Sequence, residues 1–249
     1  MFLSKTNAMC YHTALTAPHA ELERRYGRQL TFDFEPSYHV SAFSHAEYPI
    51  VTDGPGIRPM RWGLIPFWTD TLEDALAIRN RTLNARAETI FKKPSFREPI
   101  KKKRCLVPAS GFFDWRHEET KGKDKMEKIP YYITVKDEPI LSFAGIFDTW
   151  RNPENGELVQ TYSIITTEAN PMMRYIHNTN FRMPVILHPE QEADWLNPAL
   201  TETGIGAMLR PFDSDDMRAY AIGRDFLRKN PHDSAILNPL APPVLVPAP

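Results

Sequence analysis

The spacing of hydrophobic positions changes several times along the chain. Between residues 18 and 30, Leu22 and Tyr26 lie on one face at helical spacing, which predicts an amphipathic helix. Residues 31–43 alternate aromatic and polar side chains, which predicts an extended segment. We expect its partner strand to begin at Ile50, before a turn at residues 54–56.

The rest of the chain mixes β-branched and aromatic runs with shorter helical patterns. Strands are predicted at 60–68 (running into a loop), 105–108, 111–116, 131–135, 140–150, 160–167, 184–187 and 217–222. Helices are predicted at 71–79, 170–176, 189–196 and 201–209, and the charged residues 117–128 are expected to form a mobile surface loop. Because strands and helices do not alternate strictly, the pattern indicates an α+β fold.

Length and composition indicate one domain. The chain has 249 residues, of which 42% are hydrophobic and 24% charged, as in ordinary globular proteins. We expect residues 1–8 to be an N-terminal extension or the remnant of an upstream start, 9–240 the functional domain, and 241–249 a proline-rich tail. No run of about 18 apolar residues occurs, and the first eight residues are too polar for a secretory signal. A cytoplasmic protein without a membrane segment is expected.

Charge and cysteine usage limit the possible partners. The net charge is -1, so an anionic partner would be bound by a local basic patch, and residues 80–108 are the most cationic part of the chain. The two cysteines, Cys10 and Cys105, form no CxxC motif, which excludes a disulfide framework and a thiolate metal site. Cys10, His12, His117 and His177 have no recognised ligand spacing. We therefore expect no metal and no cofactor.

Cys10 directly follows Met9, which is a possible initiator. Translation from Met9 and removal of that methionine would give Cys10 a free α-amine beside its thiol. These groups titrate at roughly 7.7 to 8.0 and about 8.5 respectively. Such a 1,2-aminothiol condenses with an aldehyde to an imine, which the sulfur closes to a thiazolidine ring. The alternative is that Met1 is the true start and Cys10 is a small buried hydrophobe.

Three other segments place polar residues in apolar surroundings. Asn84 begins a stretch that also carries a guanidinium and a carboxylate, Asp114 lies among aromatic residues, and His177 precedes Arg182. An acid in an aromatic environment has a raised pKa, which suits a proton donor. The alternatives are a turn residue for Asn84, a hairpin salt bridge for Asp114, and a fully hydrogen-bonded core imidazole for His177.

The ordered set of motifs resembles the SRAP family, abasic-site processing proteins once named SOS response-associated peptidases. The motifs are Met9–Cys10 and residues 61–68, 84–89, 111–115, 144–148, 162–166 and 177–184. The resemblance extends from residue 9 to about 240. It implies a single domain with a mixed, mainly antiparallel, curved or barrel-like sheet flanked by helices. The chain departs from the family pattern at Asp114, where glutamate is usual, and in the longer spacing between His177 and Arg182.

The resemblance implies covalent crosslinking to abasic sites in single-stranded DNA. Cys10 would capture the sugar aldehyde, Asn84 would orient the adduct, and His177 and Asp114 would exchange protons. The DNA would be held by cations and aromatic residues: Arg86 and Arg182 at phosphates, Phe67 and Trp68 as a wedge, Arg61 beside them, and His12 at a phosphate contact. Such a protein would be a monomer without an obligate protein partner, associated with the nucleoid when DNA is damaged.

Two other functions are compatible with the sequence. One is a cysteine-dependent autopeptidase that cleaves its own chain before Cys10. The other is a non-catalytic module that binds single strands with strong salt dependence and no covalent product. Metal catalysis has the least support.

Overall fold

The computed structural model describes residues 10–119 and 126–240, and the expectations for residues 1–8 and 241–249 lie outside the described residues. Fourteen strands are present in this part of the chain. In chain order they are β1 (His12–Leu15), β2 (Gln29–Leu30), β3 (Ser37–Ser41), β4 (Glu47–Val51), β5 (Gly56–Trp62), β6 (Asn84–Arg86), β7 (Arg104–Ala109), β8 (Gly111–Glu119), β9 (Met126–Val135), β10 (Leu141–Arg151), β11 (Leu158–Glu168), β12 (Arg182–Pro184), β13 (Ile186–Leu187) and β14 (Met217–Ala221).

Six α-helices accompany the strands in the described residues. They are α1 (His19–Tyr26), α2 (Leu72–Arg79), α3 (Pro99–Lys102), α4 (Pro171–Ile176), α5 (Pro189–Leu196) and α6 (Glu202–Met208). The predicted helix at 18–30 is shorter than expected because Gly27 adopts φ +60° and ends α1 there. Helix α2 begins where Thr71 accepts a hydrogen bond from the amide of Asp74, the capping arrangement that its sequence indicates.

The strands form two sheets. The smaller has the order β14-β9-β8-β1-β3 and is antiparallel throughout. The larger has the order β12-β11-β10-β7-β4-β5-β2, with β13 on β10 and β6 on β11. Its pairs are antiparallel except β2–β5, β5–β11 and β6–β11, which are parallel. The α+β class and the mixed, mainly antiparallel sheet of a single domain are confirmed, with the strands divided between two sheets.

The main core lies between the two sheets. Phe112 of β8 and Phe143 of β10 are fully buried, and their ring centroids lie 5.7 Å apart in an edge-to-face arrangement. A second cluster covers the other face of the smaller sheet and contains Phe113 and Phe226, stacked at 4.8 Å. Because side chains alternate along a strand, β8 directs Phe112 and Asp114 toward the main core.

Two predictions about pairing and loops were wrong. The extended segment at 31–43 contains β3, which pairs with β1, whereas β4 pairs with β5. Residues 117–119 and 126–128 belong to the β8–β9 hairpin, with His117 opposite Lys128. The hairpin extends beyond the core, so its residues there are polar and partly exposed, which resembles loop composition. Residues 120–125 lie outside the described residues.

Within the described residues, no helix is both long and apolar enough to span a membrane.

Candidate active site

Cys10 and Asp114 lie at the same end of the β1–β8 pair. Thr13 is opposite Phe112 in this antiparallel pair, so the residues before Thr13 run alongside those after Phe112. Cys10 is 3% exposed and its thiol donates to the carbonyl of His12 at 3.8 Å. Burial, followed by the charge of Asp114, raises the pKa of the Cys10 thiol well above its ordinary value. The exposed fraction of Cys10 and the direction of its pKa shift apply to a chain in which residues 1–9 precede Cys10.

Asn84 connects the larger sheet to Cys10. It is the first residue of β6, which pairs in parallel with β11 and places Asn84 opposite Ile164. Its amide nitrogen donates to the carbonyl oxygen of Cys10 at 3.1 Å. Its side-chain oxygen is buried and has no hydrogen-bond partner among the described residues. Asn84 therefore lies in a buried strand rather than a turn, with one acceptor free.

Asp114 and His177 form a buried pair. Asp114 is 3% exposed and His177 is 1% exposed, with 3.4 Å between Asp114 Oδ2 and His177 Nδ1. Asp114 Oδ1 accepts the Trp115 amide at 2.8 Å. Burial raises the pKa of Asp114 to about 6, while His177 and the Trp115 amide act in the opposite direction. A carboxyl group that titrates near neutrality can both donate and accept a proton.

The tautomer of His177 follows from its hydrogen bond. His177 Nδ1 lies 3.0 Å from the carbonyl oxygen of Arg182, and a carbonyl can only accept, so Nδ1 carries the proton. In the neutral ring, Nε2 is then an acceptor, and this atom is buried without a partner in the described part of the chain. His177 is thus held in the form that can take up a proton at Nε2.

Four separated segments therefore meet around Cys10. Asn84 bonds to its backbone, Asp114 acts on its thiol electrostatically, and His177 lies against Asp114. Asn84 Oδ1, Asp114 Oδ2 and His177 Nε2 are all buried without a hydrogen-bond partner among the described residues. Buried polar atoms are normally hydrogen-bonded, so three such atoms in one cluster indicate a place for a polar ligand.

Arg86 and Arg182 lie on either side of β11. Arg86 is opposite Thr166 in the β6–β11 pair and is exposed. Arg182 donates to the Thr166 carbonyl at 2.7 Å and forms an ion pair with Glu88, at 3.1 Å between Nη2 and Oε2. Glu88 holds Arg182 in place but also neutralises it, so a phosphate would have to displace this carboxylate.

Phe67 and Trp68 are 58% and 45% exposed on the loop after β5. Two side chains of β10 fix this loop: Asp148 Oδ2 accepts the Phe67 amide at 3.0 Å, and the Trp150 indole donates to the Thr69 carbonyl at 2.7 Å. Asp148 is 1% exposed and also binds Lys103 at 2.5 Å. These two hydrogen bonds attach the loop that carries the exposed aromatic pair to β10.

Trp62, in contrast to Trp68, is buried. Its indole donates to the Leu83 carbonyl at 2.7 Å, and its ring stacks on Tyr162.

Arg61 and His12, the two other predicted DNA contacts, lie in contrasting surroundings. Arg61 is exposed on β5, 3.5 Å from Glu47. His12 Nδ1 lies 2.8 Å from His39 Nε2, and its ring packs edge-on against Trp115 in the second apolar cluster. Burial and the neighbouring His39 lower the pKa of His12 to about 3. His12 is therefore neutral at pH 7 and could contact a phosphate only as an uncharged hydrogen-bond donor, and its contact with DNA stays a prediction.

Sequence reasoning missed the roles of Asp148 and Glu88. Asp148 lies inside a run of β-branched and aromatic residues. An acidic residue within a predicted central strand is unusual, and this could have indicated a structural role for Asp148. The carboxylate of Glu88 was noted beside Asn84, but its pairing with Arg182 could not be predicted because the two residues are distant in sequence. Among the described residues, no group of three or more histidine, cysteine, aspartate or glutamate side chains is placed to hold a metal ion.

Residues 9–227 match the sequence model of SRAP, described as SOS response associated peptidase. The chain belongs to the SRAP family. Its relatives include the abasic site processing protein YoqW of Bacillus subtilis, 41% identical over 193 residues, which cover 76% of this chain and 80% of YoqW. Abasic site processing protein HMCES of Gallus gallus is 34% identical over 164 residues, covering 59% of this chain and 47% of HMCES.

Solved structures of this SRAP chain's relatives have the same fold. A protein from Bacteroides thetaiotaomicron is 49% identical and superimposes with a TM-score of 0.89, covering 93% of this chain and 100% of that chain. A protein from Bordetella bronchiseptica is 25% identical, with a TM-score of 0.72, covering 86% of this chain and 100% of that chain.

Proposed function

We propose that this SRAP protein processes abasic sites by forming a covalent thiazolidine crosslink between Cys10 and the aldehyde of a baseless sugar in single-stranded DNA. The observation that carries the proposal is the cluster around Cys10, in which Asn84, Asp114 and His177 each present a buried atom that has no hydrogen-bond partner within the described ranges. The names of the relatives YoqW and HMCES support the substrate class.

The chemistry requires Cys10 to be the first residue. The α-amine adds to the C1′ aldehyde and one water leaves, which gives an imine. The thiol sulfur then adds to the imine carbon, and the thiol proton moves to the nitrogen to complete the thiazolidine. No electron donor or acceptor is consumed. An internal Cys10 has an amide nitrogen in place of the amine and cannot form the imine.

A free amine also changes the thiol. In the full-length chain, burial and Asp114 disfavour the Cys10 thiolate. Removal of residues 1–9 would place an ammonium group beside the sulfur, and a nearby positive charge favours the thiolate. The full-length chain is therefore the inactive form under this proposal.

The three neighbouring side chains have separate roles. Asn84 positions Cys10 by donating a hydrogen bond to the Cys10 carbonyl oxygen. Its side-chain oxygen, which has no partner among the described residues, can accept from a hydroxyl or ammonium group of the adduct. His177 Nε2 accepts a proton during opening of the sugar ring and attack by the amine. Asp114, with a pKa of about 6, donates a proton to the departing water, recovers one from the nitrogen as the imine forms, and transfers the thiol proton to that nitrogen during ring closure.

DNA binding would follow the exposed cations and aromatic residues near the site. Arg86 offers a free guanidinium to a phosphate, and Arg182 becomes available when Glu88 is displaced. Phe67 and Trp68 would stack on or separate neighbouring bases, at about 1–3 kcal/mol per stacked base. Because Asp148 and Trp150 hold their loop, little ordering is needed on binding.

The proposal is tested with two forms of the protein, one beginning at Cys10 and one beginning at Met1. Each is mixed with a single-stranded oligonucleotide that contains one abasic site, and the heat-stable adduct is measured by gel electrophoresis. We expect an adduct only from the form beginning at Cys10. Cys10→Ala should lose it, and Cys105→Ala, at the other buried cysteine, should retain it. An equal yield from Cys10→Ala would refute the proposal.

The same preparations separate the alternative functions. A non-covalent binding module would bind intact and abasic strands equally and give no adduct. An autopeptidase would release residues 1–9 from the wild-type chain, whereas Asn84→Ala and Asp114→Ala would keep them, as read from intact masses.

A further inference from the structure

A cavity of about 130 Å³ lies behind the loop that carries Phe67 and Trp68. Helix α2 forms one wall, and β5 and the adjacent ends of β10 and β11 form the others. Its lining includes two arginines, Arg61 and Arg79, together with His45, Asn152 and Glu157. Ile65 and Trp150 connect the cavity to the loop, since one precedes Phe67 and the other bonds to Thr69.

Arg79 has no counter-ion in the part of the chain that the structure describes. Its Nε is buried and lacks a hydrogen-bond partner among those residues, and no carboxylate there lies within salt-bridge distance of its guanidinium. The residue as a whole is only partly buried and lines the cavity, so its terminal guanidinium nitrogens remain available as donors. The cavity therefore presents a donor to whatever enters it.

The neighbouring charges make the cavity cationic. Burial and then the charge of Arg61 lower the pKa of Arg79, so the two guanidinium groups are close enough to repel each other. Arg61 is 3.5 Å from Glu47, but both side chains are about half exposed, and an exposed pair of this kind exchanges partners at little cost. Glu157 is the one carboxylate among the described residues that line the cavity.

The backbone fixes Arg79 in this position. Gly63 has φ +107°, and a Cβ there would lie 2.7 Å from the Arg79 carbonyl oxygen, so only glycine allows this approach. The Thr82 hydroxyl donates to the Leu64 carbonyl at 2.6 Å and lies 3.2 Å from the Arg79 carbonyl oxygen. The end of α2 is thus joined to the start of the aromatic loop, which fixes the backbone from which the Arg79 side chain extends.

We propose that this cavity binds one backbone phosphate of the single strand that contacts Phe67 and Trp68. The inference rests on the proposed function, because that function identifies the strand as single-stranded DNA. The assignment of a phosphate as the bound group comes from the residues of the cavity itself. A planar guanidinium donates two parallel hydrogen bonds to phosphate oxygens, and a second arginine at the cavity rim balances the remaining charge.

Binding of phosphate itself is tested by NMR. The N–H signals of the arginine Nε groups are recorded on the folded protein while inorganic phosphate is added. We expect the Arg79 signal to shift and saturate, and the signal of Arg58, exposed on the same strand as Arg61, to remain in place. An unchanged Arg79 signal would overturn the phosphate assignment.

Binding of the strand is tested by fluorescence anisotropy with an oligothymidylate that has no abasic site. Affinity is measured over a series of salt concentrations, and each lost phosphate contact reduces the slope of log K against log salt by about 0.7 for single strands. We expect this reduction in Arg79→Gln, none in the matched control Arg58→Gln, and recovery of the slope in Arg79→Lys. Thermal unfolding verifies that each variant is folded.

The outcomes are distinct. A phosphate-dependent NMR shift with an unchanged salt slope would mean that the cavity takes free phosphate, which overturns the proposal. A reduced slope in both Arg79→Gln and Arg58→Gln would reflect general charge loss and also overturn it. Failure of the wild-type form beginning at Cys10 to crosslink abasic DNA would refute the proposed function, while the salt slopes with intact DNA would still test the cavity.

Discussion

Replacing Asp114 with asparagine should stabilise the protein at neutral pH while impairing its chemistry. Asp114 is buried in the fold, and burial raises its pKa from 3.8 to about 6. Between these two values the folded chain holds a proton that the unfolded chain releases. Stability therefore falls as pH rises through this range, and the cost remains at higher pH.

The magnitude follows from the size of the shift. Two pKa units correspond to about 3 kcal/mol at 25 °C, which is a large part of the stability of an ordinary domain. Asparagine has nearly the same shape, is never charged, and can still accept the hydrogen bond from the Trp115 amide. Asp114→Asn should thus recover about 3 kcal/mol at pH 7.5 and almost nothing at pH 4.

Urea unfolding at several pH values between 4 and 7.5 measures this difference. Asp70→Asn is the matched control, because Asp70 is exposed and its substitution should change stability by no more than about 0.5 kcal/mol at any pH. Equal stability of Asp114→Asn and wild type at pH 7.5, or a difference that does not vary with pH, would refute the reasoning. The gain in stability should be accompanied by a slower rate of adduct formation.

Three further changes test other parts of the structure. Asp148→Ala removes the acceptor of the Phe67 amide, so single-strand affinity measured by anisotropy should fall by about 1–2 kcal/mol; unchanged affinity would show that the loop does not need this anchor. Arg104→Lys should cost about 3 kcal/mol in urea unfolding, because buried Arg104 donates to four carbonyl oxygens that lysine cannot reach together. Burial lowers the pKa of His39 to about 4, so stability is lost as pH falls from about 6.5, and His39→Asn should reduce that loss.

Local structure was largely predictable because its causes are local. Helix α2 follows the threonine that caps it, and β10 and β11 follow runs of β-branched and aromatic residues separated by a turn. Strand pairing was not predictable in the same way. Strand β1 pairs with β3, which is near it in sequence, and with β8, which is about a hundred residues away. No residue pattern in β1 indicates either partner.

The composition of the candidate site was predictable from family motifs, but its geometry was not. Asn84 reaches Cys10 because β6 pairs in parallel with β11, a long-range contact. Strand alternation places the His12 side chain beside Trp115, on the face of the smaller sheet away from the main core, and the motif did not indicate this position. The burial that raises the pKa of Asp114 to about 6 also results from tertiary packing, which the local sequence does not determine.

The most direct test of the central claim is the mass of the N-terminal tryptic peptide after reaction. Protein that begins at Cys10 is allowed to react with abasic single-stranded DNA, treated with nuclease, alkylated with iodoacetamide and digested with trypsin, which releases the peptide from Cys10 to Arg24. Thiazolidine formation predicts that this peptide carries the sugar remnant and that its sulfur resists alkylation. Recovery of an alkylated, otherwise unmodified Cys10 peptide, with the sugar attached to a lysine elsewhere, would contradict it.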